Sequence, residues 1–289
     1  MRYNTKKRMM AALTASALFS GLSCAVVHAA TLEEVQNQGS IRIAVANEVP
    51  YGYLDEDGDA AGAGPDVAKP ILEELGIDTI EWTSTAFSDL IPGLEEDRFD
   101  MVAAEMAILP ARCQRVIYSE PNTSYGEGLL VAAGNPEEIH AYSDFAERDD
   151  IKVAILGGAD QREILQALGV PDSQLVVIEE NAEAIEAITN GRADAYAGTG
   201  LTVSELEKQD PQVEVALNFV DPILNGEEVR SWGGFTFAQD SESLRDAFNQ
   251  QLLAYKNTEA WEQTLTQYGF TKDDILSSFK YTTEQLCSE

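Results

Sequence analysis

The chain has 289 residues, 44% of them hydrophobic, and carries 19 Lys+Arg against 50 Asp+Glu for a formal net charge of −31. So acidic a surface repels polyphosphates and anionic headgroups, which excludes nucleic acid and anionic membranes as partners. It suits high salt, where screening relieves self-repulsion. Two histidines and three cysteines with no Cys/His cluster exclude an ordinary metal centre, and no cofactor is expected.

Residues 1–30 read as a signal peptide. Arg2, Lys6, Lys7 and Arg8 form a basic start, residues 9–27 are apolar and small, and Val27-His28-Ala29 offers cleavage after Ala29 or Ala30. Thr14, Ser16, Ser20 and Ser23 interrupt the apolar run and make it a poor permanent span. Lipid anchoring through Cys24 is disfavoured, because Gly21 stands where a lipobox carries leucine. Export of a soluble mature protein is expected. Cleavage takes four of the 19 basic residues and no acidic one, so 15 basic against 50 acidic residues leave −35. Of the cysteines, Cys113 and Cys287 remain. In an oxidising compartment they suggest one disulfide tying the C-terminal tail to the turn beside Arg112, with two free buried thiols as the alternative.

Strands and helices then alternate. A strand is expected over 41–46, a turn-rich loop over 54–64, a helix over 65–75 and a strand over 78–82. A helix over 88–96 is kept short by Pro92-Gly93. Strands over 99–104 and 115–119 flank a polar turn carrying Arg112, and an apolar strand over 128–133 stops at Gly134-Asn135-Pro136. A second series follows, with strands over 152–156, 174–179, 193–197 and 213–218 and helices over 160–168, 181–189 and 202–208. After a polar link over 221–231 come a strand over 232–238 and helices over 241–255, 259–268 and 272–278. This is an α/β pattern, with largely parallel sheets expected.

The segment Glu105-Met106-Ala107-Ile108-Leu109-Pro110-Ala111-Arg112, with Arg115-Val116-Ile117-Tyr118-Ser119-Glu120-Pro121 after it, places an arginine just inside a helix opened by Pro110. There its planar fork can hold a carboxylate by two parallel hydrogen bonds. The segment resembles the signature of periplasmic solute-binding proteins of the polar amino-acid class (family 3), in which the matching arginine grips the ligand's carboxylate. Ile41-Arg42-Ile43-Ala44-Val45 with Pro50-Tyr51, Phe87-Ser88-Asp89-Leu90-Ile91-Pro92, Gly191-Arg192-Ala193-Asp194-Ala195 and Trp232-Gly233-Gly234-Phe235 are similar to other parts of that class. The resemblance implies a bilobal type II periplasmic-binding-protein fold, two α/β lobes joined by a two-strand hinge. Residues 31–131 plus 232–289 would form lobe 1 and residues 132–231 lobe 2, with crossings at 130–133 and 222–232. It further implies a periplasmic monomer that binds a small zwitterion in the interlobe crevice and docks on the permease of an ABC importer. Within the class, Gly64-Pro65-Asp66-Val67-Ala68, Glu227-Glu228-Val229-Arg230-Ser231 and the ending Tyr281-Thr282-Thr283-Glu284-Gln285-Leu286-Cys287 resemble the ectoine/hydroxyectoine-binding proteins.

Ectoine joins a carboxylate to a ring whose two nitrogens share a positive charge. Its site calls for a carboxylate clamp, aromatic faces and an acidic acceptor. The resemblance assigns these to Arg112, to Tyr51 and Phe87, and to Glu48. Taken singly, Glu48 also reads as a solvated loop acid, Phe87 as a core aromatic and Tyr51 as a loop packing residue. Thr199 stands where ordinary amino-acid binders carry an aspartate for the α-ammonium, which speaks against glutamine, arginine or histidine as cargo. Other positions depart from the class. Ala107 replaces an expected third aromatic wall, Leu109 a threonine and Glu105 a glycine. Glu105 either accepts from a cationic group of the ligand or points away. Asp160 either caps the following helix, the favoured role, or faces the cationic ring on closure. Another amino-acid-like carboxylate is the alternative cargo. Catalysis is not expected, the rival being a periplasmic cyclohexadienyl-type dehydratase on the same fold. A sensory ectodomain, the third reading, would call for a transmembrane segment and a signalling domain.

Overall fold

The computed structural model of the protein describes residues 30–288; residues 1–29 of the expected signal peptide, Cys24 among them, lie outside the described residues. The strands are β1 (Ser40–Val45), β2 (Tyr53–Leu54), β3 (Ala60–Ala61), β4 (Thr79–Ser84), β5 (Met101–Ala107), β6 (Val116–Tyr118) and β7 (Thr123–Ala132). They continue with β8 (Val153–Leu156), β9 (Leu175–Ile178), β10 (Ala195–Thr199), β11 (Val213–Val215), β12 (Ile223–Leu224), β13 (Glu227–Glu228) and β14 (Arg230–Ala238). The main ladder runs β4-β1-β5-β14-β7-β10-β8-β9, with β6 on β14 and β11 on β7.

One strand passes through both lobes. Thr123–Gly126 of β7 pair with β14, and from Glu127 onward β7 pairs with β10 and β11. β7 thus changes partners between Gly126 and Glu127, ahead of the expected crossing at 130–133. The apolar run that suggested the later start is only the half of β7 buried in lobe 2; its polar first half, Thr123-Ser124, is equally buried in lobe 1. The return crossing is the link before β14. Its Asn225-Gly226 pair, both at positive φ (54° and 87°), closes the β12–β13 hairpin that a merely polar link did not announce.

The sheets are also less parallel than expected. β1 runs parallel to β4 and β5, and β8 to β9 and β10, but every pairing made by β7 or β14 is antiparallel. A strand that arrives from the other lobe, without a helical crossover, enters the sheet from the opposite end.

The apolar side chains separate the same way. In lobe 1, Ile41 and Ile43 of β1 pack with Leu244, Phe248, Leu252, Trp261 and Leu265 from the C-terminal helices Glu242–Tyr255 and Glu259–Gln267. The tail thus rejoins the first lobe. A second lobe 1 cluster joins Leu94, Phe99, Val102 and Tyr118 to Leu286. Lobe 2 packs Leu129, Phe145, Val153 and Ile155 on one face of its sheet and Leu130, Tyr196, Val203 and Leu206 on the other. Each such buried side chain contributes about 1.5–3 kcal/mol. The buried members of these clusters do not mix across Gly126, and half-buried Leu201 alone of their packed neighbours reaches across. Separate cores let the lobes move as bodies.

Local signals explain the ends. Thr31 and Glu34 form a capping box on helix Leu32–Gln38, which Gly39 ends at φ 70°. This helix, Asp144–Glu147 and Thr283–Ser288 escaped the periodicity reading because none exceeds seven residues. Cys113 and Cys287 are bonded, with Cα atoms 5.7 Å apart, and tie Thr283–Ser288 to the helix Pro110–Cys113 that carries Arg112.

Candidate functional site

After β1 the chain makes a tight turn in which the Glu48 N–H donates to the Gly52 carbonyl (3.0 Å) and the Gly52 N–H to the Glu48 carbonyl (2.9 Å). Glu48 and Tyr51 project from it. The turn lies directly on β5: a Cβ on Gly52 would come within 2.3 Å of the Ala103 carbonyl oxygen, and one on Gly64 within 2.5 Å. Only glycine permits that approach.

The lobes are closed over a crevice whose free volume is about 20 Å³, room for little more than a water molecule, so a solute enters only when they part. Lobe 1 lines it with Glu48, Tyr51, Phe87, Ala104, Glu105, Ala107 and Tyr125, and lobe 2 with Leu156, Ala159, Asp160, Gln161, Tyr196, Gly198 and Thr199. Polar contacts among the described residues join the lobes. Tyr51 OH donates to Thr199 Oγ1 (2.8 Å), Thr202 Oγ1 to Glu48 Oε1 (2.7 Å), Arg112 Nη2 to the Gly158 carbonyl (3.0 Å) and Ser231 Oγ to Asp160 Oδ2 (2.9 Å). Gly158, at φ +81°, comes so close that a Cβ there would lie 2.9 Å from Ser88 Cα.

Arg112 is buried at the edge of this space. Its Nη1 donates to the Ala107 carbonyl (2.9 Å), and its guanidinium carbon lies 5.6 Å from the Phe87 ring centroid. It forms no ion pair among the described residues; the groups it bonds, the Ala107 and Gly158 carbonyls and Tyr118, are neutral. Arg112 adjoins the crevice through Ala107 and Phe87 rather than lining it in this closed form. A buried guanidinium without an anion is costly and is met best by a carboxylate.

Glu48 is also buried. Desolvation pushes its carboxyl up to about 7; the hydrogen bond from Thr202 opposes this, and the charge of Asp160 adds to it. Thr199 lines the crevice, but its Oγ1 serves Tyr51 and accepts from the Thr202 N–H (3.2 Å) as the cap of helix Gly200–Glu207. Asp160 precedes helix Gln161–Ala167 without making a side-chain cap bond. The favoured capping role is thus corrected: its backbone lies in the helical region, and its carboxylate reaches Ser231 on β14 instead.

Glu105 turns its carboxylate away from the ligand space. It accepts from Asn122 Nδ2 (2.7 Å) and Thr123 Oγ1 (2.7 Å). Burial pushes it up to about 7, against those two bonds and the charge of Lys256. Its φ of +49° falls where the β5–β14 register shifts between Gly234 and Thr236, and that bulge re-aims the strand beside the crevice. The Glu105 carbonyl accepts from Tyr125 OH (2.9 Å).

Tyr125 and Tyr196 supply aromatic walls that sequence reasoning missed. The third wall sought at Ala107 comes from β7 instead: Tyr125 meets Tyr51 edge-on with centroids 5.1 Å apart. Glu127 was missed as well. It is the first residue of β7 to enter lobe 2, and its Oε2 accepts from Tyr142 OH (3.0 Å) and from Nε2 of the lining residue Gln161 (2.8 Å). Burial, then the charge of Asp160, pushes its carboxyl up to about 8. No group of His, Cys, Asp and Glu suited to a metal ion occurs among the described residues, and no described helix is long and apolar enough to cross a membrane.

The profile of the bacterial extracellular solute-binding proteins, family 3, matches residues 41–272. A probable amino-acid ABC transporter periplasmic-binding protein of Sinorhizobium fredii is 48% identical over 279 residues, 96% of this chain and 92% of its own. The ABC transporter arginine-binding protein 1 of Escherichia coli is 26% identical over 91% of this chain and 98% of its own. Among solved structures, EhuB in complex with hydroxyectoine superposes with a TM-score of 0.80 at 31% identity, covering 89% of this chain and 97% of that one.

Proposed function

Because the chain belongs to the bacterial extracellular solute-binding proteins, family 3, we propose that its crevice captures ectoine or hydroxyectoine. At the level its relatives share, it is the extracytoplasmic amino-acid-binding component of an ABC importer, with a membrane permease as partner, and it is a binding protein, not an enzyme. The observation that carries the finer reading is the buried, ion-pair-free Arg112 beside a crevice whose walls are aromatic and acidic. A carboxylate satisfies Arg112. A flat ring cation suits Tyr51, Phe87, Tyr125 and Tyr196, with Glu48 and Asp160 accepting its N–H groups. Thr199 offers no charge to a primary ammonium. The likeness to the hydroxyectoine complex supports the same cargo.

Residues 30–126 with 230–288 act as one lobe and residues 127–229 as the other, in a monomer that closes about Gly126–Glu127 and the link before β14. The two acids facing the crevice favour a second reading, a guanidinium amino acid such as arginine. A thermal-shift series on ligand-stripped protein separates the two. At a hundredfold excess over Kd a bound solute adds about 2.7 kcal/mol, so the ectoines should raise the melting temperature and glutamine should not. A shift with arginine alone would move the assignment to the second reading.

A further inference from the structure

The crevice holds more acid than a zwitterion neutralises. Glu48 and Asp160 face it from opposite lobes, and Glu127 stands behind Gln161 with its Oε1 buried and unpartnered among the described residues. The groups around these three come from several elements. Tyr51 comes from the turn after β1, Tyr118 from β6, Tyr125 from β7, Tyr142 from the loop before Asp144–Glu147 and Tyr196 from β10. Burial pushes all five phenols up, so they stay neutral. Asp221 of the link adds a further acid near Glu127, while Asp274 is spent on Arg230. Arg112 is the cation that acts on the same tyrosines as Asp160.

A zwitterion places its carboxylate on Arg112 and its cation on one acid. The acids left over then share a desolvated space, where like charges cannot all remain ionised. Resting on the reading that the crevice binds a zwitterion, we infer that the protein takes up a proton from solvent on Glu48 as lobe 2 closes over it, and that Asp160, facing Glu48 from lobe 2, adds to this requirement. After burial, and against the Thr202 hydrogen bond, Asp160 is the charge that raises Glu48, and Ser231 of β14 holds it in place.

The sign follows from linkage. Glu127 is buried within lobe 2 by Tyr142 and Gln161, so closure changes it little; a carboxyl near the ordinary value of about 4.3 when solvated rises to about 7 at Glu48 in the closed form. Uptake therefore falls between those limits, affinity declines as pH rises through that window, and it levels off above it.

Calorimetry with ectoine at pH about 6.5, in two buffers of different ionisation enthalpy, reads the uptake directly. The expected result is close to one proton per ectoine, with affinity dropping roughly fivefold or more between pH about 6 and about 8.5. Glu48→Gln should abolish the uptake and flatten the profile, while Asp160→Asn should reduce the uptake and bind ectoine more tightly than wild type at the alkaline end, which a merely structural loss would not do. Tight binding with equal heats in both buffers overturns the inference while leaving the cargo assignment intact. Uptake that persists in Glu48→Gln overturns its place on Glu48, and uptake undiminished in Asp160→Asn overturns the role of Asp160. Absence of heat with ectoine, hydroxyectoine and arginine alike overturns the functional reading and this inference with it.

Discussion

Arg112 shows at the residue scale what the closed form leaves incomplete. Its guanidinium is buried, stacked beside Phe87 and donated to two backbone carbonyls, yet it has no counter-ion among the described residues. Arg112→Ala should weaken ligand binding by about 2–5 kcal/mol, the cost of removing one partner from a buried charge pair. Arg112→Lys, which keeps the charge but loses the fork, should recover little of it. Calorimetric affinities near wild type in either variant would remove the clamp from the account. Tyr51→Phe keeps the ring but loses the bond to Thr199 across the cleft, and should cost about 1 kcal/mol of affinity. The resemblance could propose Glu48, Tyr51, Phe87 and Arg112 as ligand contacts because each sits in a contiguous segment with its own turn or helix start. Tyr125, Tyr196 and Glu127 could not, since the face each presents depends on where β7 changes sheets and on the register of β10. Asp160 was placed correctly before its helix, but the direction of its side chain depends on Ser231, 71 residues away.

At the scale of elements, the loop after β8 is where lobe 2 lands on lobe 1. Gly158 combines φ +81° with a close approach to Ser88, a contact between lobes that belongs to the closed form. Gly158→Ala should therefore lower affinity by about tenfold or more, through backbone strain and obstructed closure. A loss of melting temperature as large as the loss of affinity would place its effect in the fold instead. The disulfide Cys113–Cys287 closes a loop of 174 residues and anchors the single turn of helix behind Arg112. Cys287→Ser should cost about 2–4 kcal/mol in urea unfolding and weaken ligand binding as well. The strands of each lobe were legible because their apolar runs are bounded by turn residues. The full length of β7 was not, because Thr123 and Ser124 look like loop until a second sheet covers them.

For the whole molecule, the alternation of strands and helices already indicated two α/β series; the way they exchange strands emerged only from pairing. Three buried acids couple stability to pH. Glu48 and Glu105 are raised to about 7 and Glu127 to about 8 in the folded state. Their protonated forms favour the fold, so the stability they contribute is fully present below the unfolded value of about 4.3 and is lost as pH rises through about 7–8. Melting temperature should accordingly be higher near pH 5.5 than near pH 8. A flat or rising profile would contradict the burial of these groups.

The central claim concerns cargo, and calorimetric titration of the ligand-stripped protein with ectoine and hydroxyectoine, beside glutamine and arginine, tests it most directly. The account predicts saturable one-to-one binding of the ectoines, abolished by Arg112→Ala, and no heat with glutamine. Binding of glutamine or arginine with silence towards both ectoines would contradict it.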